Sequence, residues 1–412
     1  MLFGRICYSS CVLPWYTSAL KENHAISRNE IIQNYFNLGY TNAEITLCLA
    51  LCHGLFLSIR TVKRVLKRLN LRRARGNGSE SPIQCIVRSI LQEIENSSGS
   101  FLGYRQMTQR LRRKYNILVK RDTVMHFLRI IDPDGVEQRR RRRLKRRKYV
   151  VPGPNFIWHI DGWDKLKPFG LYVHGAIDGY SRRILWLEAN STNKNPKVVA
   201  LHFLDTVEQL GGVPRRIGCD KGTENTVIGR LQQLFRWSDN DEFSATKSFV
   251  QGKSSANQRI ELWWSKHRDG GGGYWINMLK DLRGSGIYRD GDYLLDEVLK
   301  FCFLPVLRKE LYLVAELWNT HNIQSQKRHE VVGGKPDIMF FTPQVYNTVS
   351  YLREVDVEDV WACRRLYTEA CEDLDENIEE LVQLLKPNYV PPSDISHAMS
   401  LFSEIAQLLQ NY

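Results

Sequence analysis

The sequence predicts an α/β core, a mixed five-stranded sheet with flanking helices, preceded by all-α modules and followed by a helical tail. Two changes of pattern predict it. Up to about residue 131 the apolar residues recur at helical spacing in short blocks, whereas from Val151 they fall into β-rich runs separated by turn residues. Beyond residue 320 the chain turns acidic and returns to helical spacing. The 412 residues allow about two or three domains. A composition of 43% hydrophobic and 25% charged residues excludes wholesale disorder and fibrous classes. No apolar run reaches the roughly 18 residues of a membrane helix. The richest stretch, Ile45 to Ile59, is shorter and contains His53, so no membrane partner is expected. The first fifteen residues lack the basic start, long apolar centre and cleavage site of a secretory signal.

The front of the chain reads as two helical modules. In residues 25–73, Ile31, Ile32, Tyr35 and Phe36 mark a first helix that Gly39 breaks. Thr41 with Glu44 three residues on forms a capping box into Ile45, Leu47 and Leu49. Ser58 caps a third helix with Ile59, Val62, Val65, Leu66 and Leu69 on one stripe and Arg60, Lys63, Arg64, Lys67 and Arg68 on the other faces. Three helices ending in a basic one predict a helix-turn-helix-like DNA-binding module; a helical hairpin with a solvated basic face is the alternative. Residues 82–131 repeat the pattern as a second module of the same kind, in which Arg105 is a further candidate nucleic-acid contact. The run RRRRRLKRRK (139–148) carries nine basic residues in ten, too much repulsion for a packed element. Residues 139–150 therefore read as a basic linker, with Arg140, Arg141, Lys145 and Arg146 as phosphate contacts or as part of a nuclear-import signal.

The net charge is +13, and it is unevenly placed. Ser58 to Arg75 holds eight Lys or Arg and no acid, and Phe101 to Val150 holds seventeen basic against four acidic residues, so the polyanion-binding surface is expected at the front. From Glu354 to Glu380 eleven acids face two arginines, which makes the tail a solvated acidic surface or a site for a chromatin partner. The nine cysteines are odd in number and form no facing CxxC pairs, so reduced thiols and a nuclear or cytoplasmic compartment are expected.

The core, assigned to 151–320, follows in order. Phe156 to Leu166, Leu171 to Asp178 and Arg183 to Glu188 form an antiparallel meander, because each spacer is short. Val198, Leu201, Leu204, Val207 and Leu210 mark a helix that Gly211-Gly212 ends. A strand over Val213 to Cys219, a helix over Glu224 to Phe235, a short strand near Thr246 to Val250 and a helix over Ser255 to His267 complete the RNase H-like order. Residues 321–412 form a C-terminal extension, with KPDIMFFTPQ extended and helices over Asn377 to Leu385 and Ser393 to Gln410.

Three acids carry the candidate chemistry. Asp161 lies inside the first strand, where an unpaired charge is costly. Asp220 follows strand residues at the edge of a glycine loop, facing the crevice where α/β sheets bind ligands. Glu261 lies on the helix after the last strand. Their converging oxygens would suit two Mg²⁺ or Mn²⁺ ions, roughly 3.5–4 Å apart, for phosphodiester cleavage or transfer. Around them, Asp164 reads as surface, Asp178 as fixing a turn with Arg182, and Glu224 as a helix cap. Asn257 reads as a cap or a nucleic-acid contact, and Arg259 and Lys266 as phosphate contacts.

WHIDGWDKLKPFGLYVHGAIDGYSRRILWLEA, IGCDKGTEN and GKSSANQRIELWW together resemble the integrase core domain of retroviruses, LTR retrotransposons and related transposons, closest to transposon-derived copies in animal genomes. The resemblance covers about 150–320 and, more loosely, 320–350. It implies the Asp-Asp-Glu triad at Asp161, Asp220 and Glu261 as catalytic and metal-binding residues. It also implies an RNase H-like fold, Mg²⁺ or Mn²⁺, DNA as partner, 3′-end processing and strand transfer, and a homo-oligomer. The chain departs from the family in lacking its zinc-binding front module, in a longer Asp220-to-Glu261 interval, and in the HRDGGGG stretch (267–273) where helix should continue. A domesticated, catalytically silent nucleic-acid-binding protein is the competing expectation.

Overall fold

The computed structural model describes residues 27–71, 80–96, 102–140, 150–192, 195–252, 257–325, 332–367 and 376–410. In chain order the elements begin with seven helices: α1 (Arg28–Asn37), α2 (Asn42–His53), α3 (Ile59–Arg68), α4 (Ile83–Asn96), α5 (Tyr104–Tyr115), α6 (Arg121–Ile131) and α7 (Pro133–Arg140). The central region follows as β1 (Ile157–Trp163), β2 (Tyr172–Asp178), β3 (Ile184–Asn190), α8 (Pro196–Leu210), β4 (Gly212–Val213), β5 (Arg216–Asp220), α9 (Thr226–Phe235), β6 (Phe249–Gly252), α10 (Gln258–His267), α11 (Gly273–Gly284) and α12 (Tyr293–Thr320). The remainder is α13 (Pro336–Phe341), β7 (Arg353–Glu354), α14 (Val357–Arg365), α15 (Glu376–Leu385) and α16 (Ile395–Gln410).

The chain divides into two compact units: one of Met1–Leu91, Gly103–Pro154 and Glu316–Ser350, the other of Gln92–Leu102, Asn155–Ala315 and Tyr351–Tyr412. In the first, α1, α2 and α3 bury Ile32, Phe36, Ile45, Leu49, Val62 and Leu66 together with Ile338 of α13. The sequence logic of the caps holds: Ser27, Thr41 and Ser58 each accept a backbone N–H at the start of α1, α2 and α3. At α2 the box is reciprocal, with Glu44 N–H donating to Thr41 Oγ1 at 3.2 Å and Thr41 N–H to Glu44 Oε2 at 2.6 Å. The same Glu44 oxygen accepts from Lys335 Nζ at 2.6 Å, whose side chain is 8% exposed. Thr41→Ala should therefore cost about 1 kcal/mol. Glu44→Ala should cost more, about 2 kcal/mol, because a buried ammonium that also donates to the Gly39 carbonyl loses its carboxylate. Urea unfolding midpoints measure both.

In the second unit β1 is the central strand of a five-stranded sheet ordered β3-β2-β1-β5-β6. β2 and β3 run antiparallel on one side, and β5 and β6 run parallel to β1 on the other. α8 covers one face, where Trp158 meets Phe203 edge-on at 6.3 Å between ring centroids. α10 covers the other, where Trp264 stacks on Trp163 at 6.2 Å. That alternation follows from the period of two along β1. The meander and alternating helices are the anticipated core order. No described helix is long and apolar enough to cross a membrane.

Several expectations are corrected. The first strand ends at Trp163, and Asp164–Phe169 forms a 3₁₀ turn closed by Gly170 at φ 69°, which tucks Leu166 inward. The strand expected over Val213 to Cys219 is broken by Pro214, which has no N–H to donate. Gly212–Val213 instead pairs with β7, and β5 starts at Arg216. KPDIMFFTPQ is helical rather than extended, because Pro336 occupies the first turn of α13, where its missing N–H is harmless. α14 adds a helix beyond those expected, with Asp356 capping it through Glu358 N–H at 2.9 Å. The helix α7 runs two residues into the basic run expected to resist packing.

The HRDGGGG stretch interrupts the helix as expected: Gly271 takes a non-helical conformation (φ 159°, ψ −43°), so Arg268–Gly272 is a kinked turn between α10 and α11. A Cβ at Gly272 would sit 2.8 Å from Trp163 and 2.9 Å from His267. Glycine there is a packing requirement, because the turn passes closely over both rings.

Candidate active site

Asp161 and Asp220 are brought together by the parallel pairing of β1 and β5. The register sets Trp158 beside Ile217 and His159 beside Gly218. Two residues further along each strand stand Asp161 and Asp220, on the same face by the period of two. Asp161 is 8% exposed. Its Oδ2 accepts a hydrogen bond from Trp264 Nε1 at 3.0 Å. Gly175 lies opposite Asp161 on β2. A Cβ at Gly175 would stand 3.1 Å from the Trp264 ring, so this glycine leaves room for the indole that holds the aspartate.

Glu261 is placed by a pin between α10 and β1. Asn257, 2% exposed, donates from Nδ2 to the Ile160 carbonyl at 2.9 Å. Its Oδ1 lies 2.6 Å from His159 Nδ1. An amide oxygen only accepts, so His159 carries its proton on Nδ1. Burial lowers the His159 pKa to about 4 and keeps the ring neutral. Glu261 follows Asn257 by one helical turn, with Glu261 N–H donating to the Asn257 carbonyl at 3.3 Å. Asn257 occupies the N-cap position of α10 without a side-chain cap bond, so its amide ties helix to sheet rather than capping or facing solvent.

The three carboxylates feel one another. Burial first, then the charges of Asp220 and Glu261, push Asp161 up to about 8. Burial and Asp220 also raise exposed Glu261, against the pull of Lys165. Asp220 Oδ1 is buried with no hydrogen-bond partner. Among the described residues, no three His, Cys, Asp or Glu side chains stand close enough to hold an ion unaided. The donor set is nonetheless that of a hard divalent cation: carboxylate oxygens only, one of them unsatisfied, with mutual repulsion that added positive charge would relieve.

Glu224 departs from expectation. The N-cap of α9 is Asn225, without a side-chain cap bond, so Glu224 is not the cap of this helix. Its carboxylate accepts from Asn225 Nδ2 at 3.1 Å and from the backbone N–H groups of Thr223 and Glu224. Burial, Asp220 and Asp164 raise its pKa. The sequence signal for a place near the site is its position four residues after Asp220 in a glycine loop, a signal that the helix-cap reading passes over.

Asp178, fully buried, accepts from Asn155 N–H, Tyr180 N–H, Ser181 N–H and Ser181 Oγ, and its carbonyl accepts from Arg182 N–H at 3.0 Å, which makes it a turn anchor as expected. Asp164 is exposed, but at the start of the 3₁₀ turn rather than on a strand. Arg259 Nε donates to the Gly179 carbonyl at 3.1 Å, so it braces the β2–β3 turn. Lys266 is exposed on α10. Trp263 and Trp264 are buried, and Trp263 stacks on His267. On α3, Arg60, Lys63, Arg64, Lys67 and Arg68 are all exposed, and among the described residues none has an ion-pair partner. Arg105 is exposed and donates to Tyr104 Oη at 3.1 Å. Arg140 ends α7, and Arg141, Lys145 and Arg146 lie outside the described residues. Cys48 and Cys52 form no disulfide and hydrogen-bond each other, and neighbouring His53 bonds Tyr35 Oη at 2.8 Å.

No curated protein matches the chain. A family model described as "Integrase core domain" matches residues 148–340, the span that holds the sheet, all three carboxylates and the pin. The match over residues 148–340 and the order of the five-stranded sheet within it are consistent with a retroviral-type integrase core on an RNase H-like sheet.

Proposed function

We propose that the chain is a DNA-binding integrase or transposase that cleaves and joins phosphodiester bonds through Asp161, Asp220 and Glu261. The observation that carries this reading is the placement of those acids: Asp161 and Asp220 stand in register on the paired strands β1 and β5, and Glu261 lies on the helix pinned to β1. Asp161, Asp220 and Glu261 would hold two Mg²⁺ or Mn²⁺ ions. Bound there, such ions activate an attacking hydroxyl and stabilise the leaving oxygen of an in-line displacement.

The chain's own residues supply position and charge. Trp264 holds one Asp161 oxygen by a hydrogen bond. The Asn257 pin fixes where Glu261 stands. The exposed basic face of α3 supplies sequence-independent phosphate contacts, whose affinity falls steeply with salt. A nuclear location, self-association, and a chromatin partner for the acidic tail accompany this reading.

A catalytically silent DNA-binding protein is the second reading. It rests on the observation that no three described side chains grip an ion unaided. One experiment separates the two. Full-length protein is incubated with labelled double-stranded oligonucleotides and Mn²⁺, beside Glu261→Gln. Metal-dependent cleaved or joined product, lost roughly 10²-fold or more in the variant, supports catalysis. Equal DNA binding by both proteins with no product from either supports the silent reading.

A further inference from the structure

We propose that Glu224 is a fourth carboxylate of this active site, held in place by a buried chain of hydrogen bonds through Trp186, His174 and Asn225. The inference rests on the reading of Asp161, Asp220 and Glu261 as a cation site.

The chain has one possible direction. Trp186 Nε1 only donates, and it donates to His174 Nδ1 at 3.0 Å. His174 must then carry its proton on Nε2, which lies 3.1 Å from Asn225 Oδ1. Burial holds His174 neutral, with its pKa lowered to about 4, so that tautomer has a single proton to give. With its oxygen occupied as an acceptor, Asn225 turns its Nδ2 outward and donates to Glu224 Oε1 at 3.1 Å. Trp186, His174 and Asn225 are each 0% exposed. Burying an imidazole and an amide is costly unless their polar atoms are satisfied, and here each step satisfies the next. The last bond ends on an acid, not on backbone. The fixed direction of the whole chain therefore serves to present a donor to the Glu224 carboxylate.

The loop geometry turns that carboxylate toward the site. Gly222 N–H bonds the Asp220 carbonyl at 3.1 Å, a tight turn directly after β5. A Cβ at Gly222 would collide with both Glu224 carboxylate oxygens, so Glu224 folds back over Gly222 toward Asp220. The Asp220 and Glu224 charges interact. Two bound divalent ions would bring four positive charges against the three negative ones of the triad, and Glu224 would supply the balancing charge before DNA arrives. Asn225 and His174 are positioning residues, acting only through Glu224.

The test is Mn²⁺ binding to the full chain, followed by isothermal titration and by the Mn²⁺-induced rise in melting temperature, with no DNA present. Glu224→Gln keeps the shape and the bond to Asn225 but removes the charge. It should weaken Mn²⁺ binding roughly tenfold or more without lowering the metal-free melting temperature. Asn225→Ala should weaken binding in the same direction, and in the double variant it should add little to Glu224→Gln, because both act on one group. Wild-type affinity and stoichiometry in Glu224→Gln, alongside lost binding in Asp220→Asn, overturns the role of Glu224 and leaves the triad standing. No Mn²⁺ binding by the wild type overturns the triad reading itself. Additive losses in the double variant overturn the positioning chain.

Discussion

Asp161→Asn should make the metal-free protein more stable at pH 8 while abolishing metal-dependent chemistry. Asp161 is buried beside two other acids, and its pKa rises from an ordinary 3.8 to about 8 in the folded state. Below pH 4 the group is protonated whether folded or unfolded and contributes no difference. Between about 4 and 8 the folded protein holds a proton that the unfolded chain has released, so stability falls as pH rises through that window. Above about 8 the loss is complete. Asparagine keeps the shape and the acceptor for Trp264 but never ionises. A tenfold change in proton affinity corresponds to about 1.4 kcal/mol, so the whole rise of the Asp161 pKa sets a ceiling on the gain. With relaxation and water entry, a gain of about 2 kcal/mol at pH 8 is expected. The gain should shrink towards zero near pH 4. Urea denaturation in a chelator at both pH values measures it, and a variant no more stable than wild type at pH 8 contradicts the crowding of the three acids. The same substitution should lower metal-dependent product roughly 10³-fold or more, because cation binding requires the ionised carboxylate that is lost. A residue that weakens the fold while serving its chemistry is characteristic of functional sites.

Much of this arrangement is legible in the chain. The helix caps are local signals, since Thr41 and Glu44 contact each other across three residues wherever the chain goes. The strands of the core carry their own apolar runs, and the three acids stand in segments with a family resemblance. What is not legible depends on register. His174 and Trp186 lie twelve residues apart on adjacent strands, and no periodicity shows that their side chains meet. Glu224 reads as a helix cap because acids near a helix start usually are; only the placement of Asn225 sends it back towards Asp220. KPDIMFF reads as a strand because its aromatic and β-branched residues favour strands, while the proline that starts α13 is equally at home at a helix N-terminus. The glycines of HRDGGGG read as a break, and the kink stands at Gly271; what the sequence does not show is Trp163, more than a hundred residues earlier, packed against Gly272.

Asn257→Ala should damage both the fold and the site, in a way that separates its two possible roles. Its position in the sequence, at a helix start, suits a cap or a contact with nucleic acid. In the structure it is 2% exposed and joins α10 to β1 by two bonds, to the Ile160 carbonyl and to His159 Nδ1. Alanine removes a hydrogen bond from each of two buried partners. Each loss costs about 1–3 kcal/mol, so a loss of about 3 kcal/mol is expected. The helix would then lose its registration over the sheet one turn before Glu261. Metal-dependent product should fall roughly 10²-fold even at temperatures where the variant is fully folded, because a misplaced catalytic group loses its effective concentration. DNA affinity measured without metal should stay at the wild-type value, since the buried amide offers nothing to a phosphate. A variant of unchanged stability with weakened DNA binding would instead make Asn257 a nucleic-acid contact, and Glu261 would need some other anchor. The pin and the Trp264–Asp161 bond lie on the same helix. Displacing α10 therefore moves two of the three acids' supports at once, and this is why a neutral amide that never touches substrate should rank beside the acids themselves in its effect.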